Sequence, residues 1–266
     1  VDRDGLRGLR HRHFLIDPQA PALHLAPYES QLGELVADAR FNEDGTSARS
    51  HGAIQGRPLP DDEILQNLSG LVLVGGSVGC SVAHQVFRWL DQILVELGVP
   101  DQVRANARRS CLMIHLGPTT VLPADGVTNR LSIINKSDEF VFAGNDIGRT
   151  VKVSESTGRY FVLDPGPGEE ADSFTGHGYH LVLDAPATIH HGPDGTVFDP
   201  VGTHFGHSLK HYSNALRDIG LGSVVQRALD TQGPFVLGDL INNAQTSGEL
   251  QVDTSSSTPP PAAGGT

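Results

Sequence analysis

Residues Gly75-Gly76-Ser77-Val78-Gly79 place a serine hydroxyl among glycines, where an apolar run ends and an amphipathic segment begins. A small-residue turn lets the backbone bend sharply there, lifts the hydroxyl above a sheet edge and aims the first amides of the following helix at developing negative charge. A serine hydroxyl becomes a nucleophile when a base takes its proton. An imidazole does this near neutral pH, and a carboxylate behind it fixes the tautomer. The chemistry this constellation serves is acyl transfer, whose tetrahedral intermediate also needs donors for its oxyanion.

The elements that must position such a serine are readable around it. Leu71-Val72-Leu73-Val74 is a continuous apolar run, as in a central strand covered on both faces. Val82, Val86, Trp89, Leu90, Ile93, Leu94 and Leu97 then recur at three- and four-residue spacing, which predicts a helix ended by Gly98 and Pro100. The five residues match G-x-S-x-G, the nucleophile-elbow pattern of α/β-hydrolases. A glycine-rich strand-to-helix turn also serves phosphate and dinucleotide sites, and a plain tight turn carries the same signature.

Further along, the pattern predicts a strand over 102–106, part of a helix over 128–135, strands over 139–143, 159–163 and 180–183, and a final helix over 207–218. Strands separated by helical stretches argue for βαβ units, a mostly parallel sheet and sites at the carboxyl ends of strands. The expected fold is α/β with three layers, α/β/α. Residues 1–69 form an N-terminal extension with a helix over 30–39 and an arginine-bearing arm, and 70–250 form the main domain. The Pro-, Ser- and Gly-rich stretch 251–266 is a disordered tail.

Around the serine the chain resembles the SGNH (GDSL-like) hydrolase superfamily. LVLVGGSVG is similar to its first block, in the G-G-S form of many bacterial members, and Asn42-Glu43-Asp44-Gly45 to an N-x-x-G element before the first core strand. Phe140 to Asp146 is similar to the G-x-N-D block, with Ala143 at its first glycine. Asn106 to Cys111 stands where the N-A-G-x-S-G block is expected, with Arg108 and Cys111 replacing glycines. Asp199 to His204 is placed like the D-x-x-H block, with two extra residues of spacing.

The resemblance implies an SGNH/flavodoxin-like fold and an esterase or acyl hydrolase with no metal and no organic cofactor. It implies Ser77 as nucleophile, His204 as base with His207 able to take its place, and Asp199 as acid. The oxyanion hole it implies comprises the Ser77 amide, the Cys111 amide (Gly117 as the alternative) and the Asn145 side chain. It also implies that Cys80 and Cys111 lie near one another on the same side of the sheet, unbonded.

Two other classes stay open. His204, His207 and His211, at i, i+3 and i+7, could converge on a metal with His177, His180, His190 or His191, although no HExxH-like signature accompanies them. A non-catalytic binding or structural domain that keeps the fold would also show degraded blocks.

The formal charge of −12 disfavours nucleic acid or an anionic membrane surface as partner and suits a small neutral or cationic substrate. No run approaches the roughly 20 apolar residues of a membrane helix, so a soluble domain is expected. With Val1 rather than Met at the start, a removed export signal is compatible with the sequence, and the compartment stays open. Two cysteines are too few for a disulfide framework.

Overall fold

The computed structural model describes residues 32–39, 49–50, 53–118, 129–135, 138, 160–163, 178–183, 207, 212–213, 216–217 and 219–251. The expected strand over 139–143, the basic arm and the tail beyond Gln251 lie outside them.

The apolar run becomes β5 (Val72–Gly76), and the periodic segment after it becomes the 18-residue helix α2 (Gly79–Glu96). Gly98, at φ 72°, follows the helix end. With β6 (Leu112–Leu116), β7 (Asn129–Asn135), β8 (Tyr160–Leu163) and β9 (Gly178–Leu183), β5 builds one sheet in the order β5-β6-β7-β9-β8. The first four strands of that order are mutually parallel, and β8 runs antiparallel to β9. The mixed α/β class and the mostly parallel sheet are as expected.

Two expected elements change type. The segment expected as a strand over 102–106 lies in helix α3 (Asp101–Ser110). Its few inward residues, Val103, Ala107 and Ser110, are three and four apart, which is a helical and not a strand period. Asp101 at the first turn and Arg108 and Arg109 at the last complement the helix dipole.

The segment expected to be helical over 128–135 is β7, in which all seven residues are buried. It lies between two parallel neighbours, β6 and β9, and its apolar members Leu131, Ile133 and Ile134 are those of a strand covered on both faces. Asn129 anchors its amino end: the side-chain amide donates to the Arg109 and Phe235 carbonyls, and its oxygen accepts from the Leu237 amide.

Side chains alternate across the strands into two apolar clusters. Leu73 and Met113 join Ile64, Leu68, Val86, Phe87, Leu90 and Leu94, the last six from α1 (Asp61–Leu68) and α2. Leu112, Ile114, Leu131 and Ile133 join residues of α4 (Gly222–Asp230) and α5 (Leu237–Thr246).

The extension is part of the first cluster through Leu32, Leu35, Val36 and Ile54. There residues 32–36 are helical, β1 (Ala37–Ala39) pairs with β4 (Gly56–Pro58), and β2 (Arg49–Ser50) pairs with β3 (Ala53–Ile54). Residues 212–213 and 216–217 are helical as expected, yet they are not the end of the fold, because α4 and α5 follow.

Candidate active site

The candidate site lies at the carboxyl end of the parallel sheet. Ser77 directly follows β5, Gly117 follows β6, and Asp138 stands three residues beyond β7. Ser77 has φ 53°, the only non-glycine residue with positive φ among those described. That conformation is sterically unfavourable for a side-chain-bearing residue and persists where its surroundings enforce it.

The enforcement is visible residue by residue. The Ser77 N–H donates to the Leu116 carbonyl at 2.9 Å, so it still belongs to the ladder with β6, while the Ser77 carbonyl already accepts the Cys80 N–H of the new helix. Gly75 lies so close to the start of α2 that a β-carbon there would meet the Gly79 oxygen at 2.5 Å and the Cys80 Cα at 2.7 Å. Strand and helix can therefore meet at this sharp angle only with glycine at position 75. The Cys80 thiol, buried under the turn, donates to the Gly75 carbonyl at 3.3 Å.

Opposite the serine stands His207. Its Nε2 accepts from the Ser77 hydroxyl at 2.7 Å, and its Nδ1 donates to Asp138, whose two carboxylate oxygens lie at 3.0 and 2.8 Å. This pairing assigns the proton to Nδ1 and leaves Nε2 free to take the serine proton. Asp138 is fully buried. One of its oxygens also accepts the Tyr212 hydroxyl at 2.6 Å, and the Tyr212 oxygen accepts the Asn135 N–H at 3.2 Å. Burial, first, and the adjoining Asp138 carboxylate push the Tyr212 phenol far above its ordinary pKa, so it remains a donor.

No protein-family model matches the chain, and no curated protein matches it.

Several expectations of site residues change. The imidazole on Ser77 is His207, the alternative base, while His204 lies outside the described residues. The carboxylate on that imidazole is Asp138 and not Asp199, which is also outside them, as is Asn145. Position 204, three before His207, is a histidine, so the D-x-x-H spacing does not apply to this base.

Cys111 is at the wrong end of the sheet to serve the oxyanion. It precedes β6 at the amino end, with its thiol against the Ala107 and Leu68 carbonyls. The five residues of β6 then separate it from the carboxyl end by roughly 16 Å. Cys80, by contrast, reaches the Leu116 carbonyl at that carboxyl end, so the two thiols occupy opposite ends and the expected proximity fails.

Gly117 does not supply the donor either, because its N–H is committed to the Ile133 carbonyl at 2.9 Å. It stands at φ 55°, where a β-carbon would meet an Asp138 oxygen at 2.9 Å and the Tyr212 ring at 3.0 Å. Glycine there makes room for the acid. The Ser77 N–H is likewise committed, to Leu116. The backbone donors at the turn without an acceptor among the described residues are those of Val78 and Gly79, at the amino end of α2, and Val78 is 54% exposed.

Finally, His207 faces Ser77 and Asp138, and no group of three metal-ligating side chains converges among the described residues.

Sequence reasoning missed Asp138 and Tyr212. A signal for the first existed: hydrolases with G-x-S-x-G elbows carry their triad in the chain order serine, acid, histidine, the acid following a later strand. With 129–135 taken as a strand, Asp138 is the first carboxylate beyond its carboxyl end.

Proposed function

We propose that the protein is a serine hydrolase that cleaves a small ester or acyl group by way of a covalent acyl-Ser77 intermediate. The observation that carries this reading is the contact of His207 Nε2 with the Ser77 hydroxyl at 2.7 Å, with Asp138 on the other ring nitrogen. The strained φ of Ser77 supports it independently, since that conformation characterises a nucleophile elbow.

The steps follow from these atoms. Ser77 Oγ bonds to the substrate carbonyl carbon while its proton passes to His207 Nε2, and the carbonyl π electrons move to oxygen. The Val78 and Gly79 amides, at the positive end of α2, receive that oxyanion. Collapse breaks the carbon–oxygen bond to the leaving alcohol, which takes the proton from His207. Water then attacks the acyl-serine with His207 as base, and Ser77 leaves with the proton. Asp138 stays ionised throughout and stabilises the imidazolium.

The order Ser77, Asp138, His207 is that of the α/β-hydrolase elbow, which supports a reading nearer that type than the SGNH type, whose acid and base share one block. An acidic surface favours a neutral or cationic substrate.

Labelling with a fluorophosphonate probe, followed by mapping of the modified residue, tests the reading. The expected result is one label, on Ser77, and loss of both label and p-nitrophenyl ester turnover in Ser77→Ala. Equal turnover in the two proteins refutes it.

A further inference from the structure

Behind the acid lies a group that the hydrolytic steps do not use. Tyr212 is completely buried, and its hydroxyl spans two elements of the site: it donates to Asp138 at 2.6 Å and accepts the Asn135 N–H at the end of β7 at 3.2 Å. The oxygen it binds also receives His207 Nδ1–H at 2.8 Å. Tyr212 lies five residues after His207, so one short stretch of chain supplies two partners of the carboxylate.

We propose that Tyr212 is a positioning residue for the triad: by tying the Asp138 carboxylate to the end of β7, it holds the acid, and through it the His207 ring, in register with Ser77. The proposal rests on the hydrolase reading above.

Asp138 stands beyond the last residue of β7, outside the ladder, and its backbone tie among the described residues is the Asp138 N–H bond to the Asn135 carbonyl at 2.9 Å. The buried Tyr212 hydroxyl, at 2.6 Å, constrains the side-chain torsions of Asp138. The Tyr212 hydroxyl also acts on the electronics of the carboxylate. A donor on a carboxylate oxygen weakens that oxygen as an acceptor for Nδ1–H, so Tyr212 moderates how strongly Asp138 favours the imidazolium. Among the described residues, the other groups facing the phenol leave this effect intact. Gly117 carries no side chain, and the Cys80 thiol is kept neutral by burial, with its pKa raised to about 12.

The test uses the full chain with fluorophosphonate labelling and ester turnover, and compares Tyr212→Phe with wild type and with Asp138→Asn. Tyr212→Phe is expected to lower kcat about 10- to 100-fold with little change in KM, since sub-ångström misplacement of a reacting pair costs on that order. The acid limb of its kcat/KM profile should move to higher pH by about half to one unit, because the freed oxygen binds Nδ1–H more strongly.

In the Asp138→Asn background, the same change should alter the labelling rate by less than about twofold, because its target is already gone. 3-Fluorotyrosine at position 212 keeps the shape and strengthens the donor, so it should move the acid limb to lower pH even where the phenylalanine variant folds poorly. An unshifted limb in both variants, or the same loss in both backgrounds, overturns the positioning role while leaving Ser77 labelled. A wild-type chain that takes no label on Ser77 removes the hydrolase reading, and this proposal with it.

Discussion

Replacing Asp138 by asparagine separates the geometric triad from the one implied by family resemblance. Both Asp138 oxygens lie within 3.0 Å of His207 Nδ1. An amide in the same place therefore sets an NH2 donor against Nδ1–H in either of its two orientations. The side chain is fully buried, and where the NH2 faces Nδ1 the ring answers by moving its proton to Nε2. A protonated Nε2 cannot accept from the Ser77 hydroxyl, and the charge that stabilised the imidazolium is also lost. Wrong-tautomer substitutions of this kind cost about 10⁴ in kcat, or about 5.4 kcal/mol. The assay is p-nitrophenyl acetate turnover, with a thermal melt to confirm folding. Asp138→Asn should lose activity by about that factor, and Asp199→Asn should retain wild-type turnover. The opposite result, or an Asp138→Asn enzyme within about threefold of wild type, would refute the assignment of the acid.

Three other perturbations follow from the same geometry. Gly75→Ala drives a methyl into the backbone of Gly79 and Cys80, so it should destabilise the fold by about 1–3 kcal/mol in urea and abolish labelling of Ser77 by displacing the elbow. Gly117→Ala meets both Asp138 and Tyr212 at a left-handed φ, so its activity should fall more than its stability, checked by kcat against the urea midpoint. Burial raises both thiols from 9.0 to about 12. Iodoacetamide at pH 8 should therefore modify neither Cys80 nor Cys111 until the chain is unfolded. Because the folded pKa values are the higher ones, these thiols contribute stability that is full below pH 9 and lost as pH rises towards 12, and the urea midpoint should fall over that window.

The elbow was legible in the sequence because its determinants are local. An apolar run, a glycine pair, a serine and a 3.6-residue apolar period lie within about 25 consecutive residues. The acid was not, because its position depends on a strand that short-range pattern misassigns. Asn129-Arg130-Leu131-Ser132-Ile133-Ile134-Asn135 has apolar residues spaced two and one apart between polar ones, and only its place between β6 and β9 makes it a strand. Helix α3 failed for the converse reason, since one valine among polar residues carries little period of either kind. The block-two alignment then placed Cys111 at the site, and the helix assignment is what removes it: Cys111 ends α3 and starts the β6 approach from the far side of the sheet.

The two halves of the candidate site are therefore held by different physics. Ser77 is fixed by regular structure: the ladder bond to Leu116, the first helical turn through Cys80 and the close approach at Gly75 together hold a conformation that costs about 1–2 kcal/mol for an L-residue. A substitution that relaxes the turn should release that cost, and so should stabilise the chain while lowering activity. Ser77→Gly is the direct case. Glycine adopts φ 53° without steric penalty, so the variant should be no less stable than Ser77→Ala and should exceed it by about 1 kcal/mol in urea, although both lack the nucleophile. If the alanine variant is the more stable of the two, Ser77 is not strained, and the turn is not the elbow its sequence and φ describe. Asp138 and His207 are joined to the serine through side chains. Buried side-chain hydrogen bonds contribute to their register with the serine, so this half of the site is where single-atom changes should alter rate without altering fold.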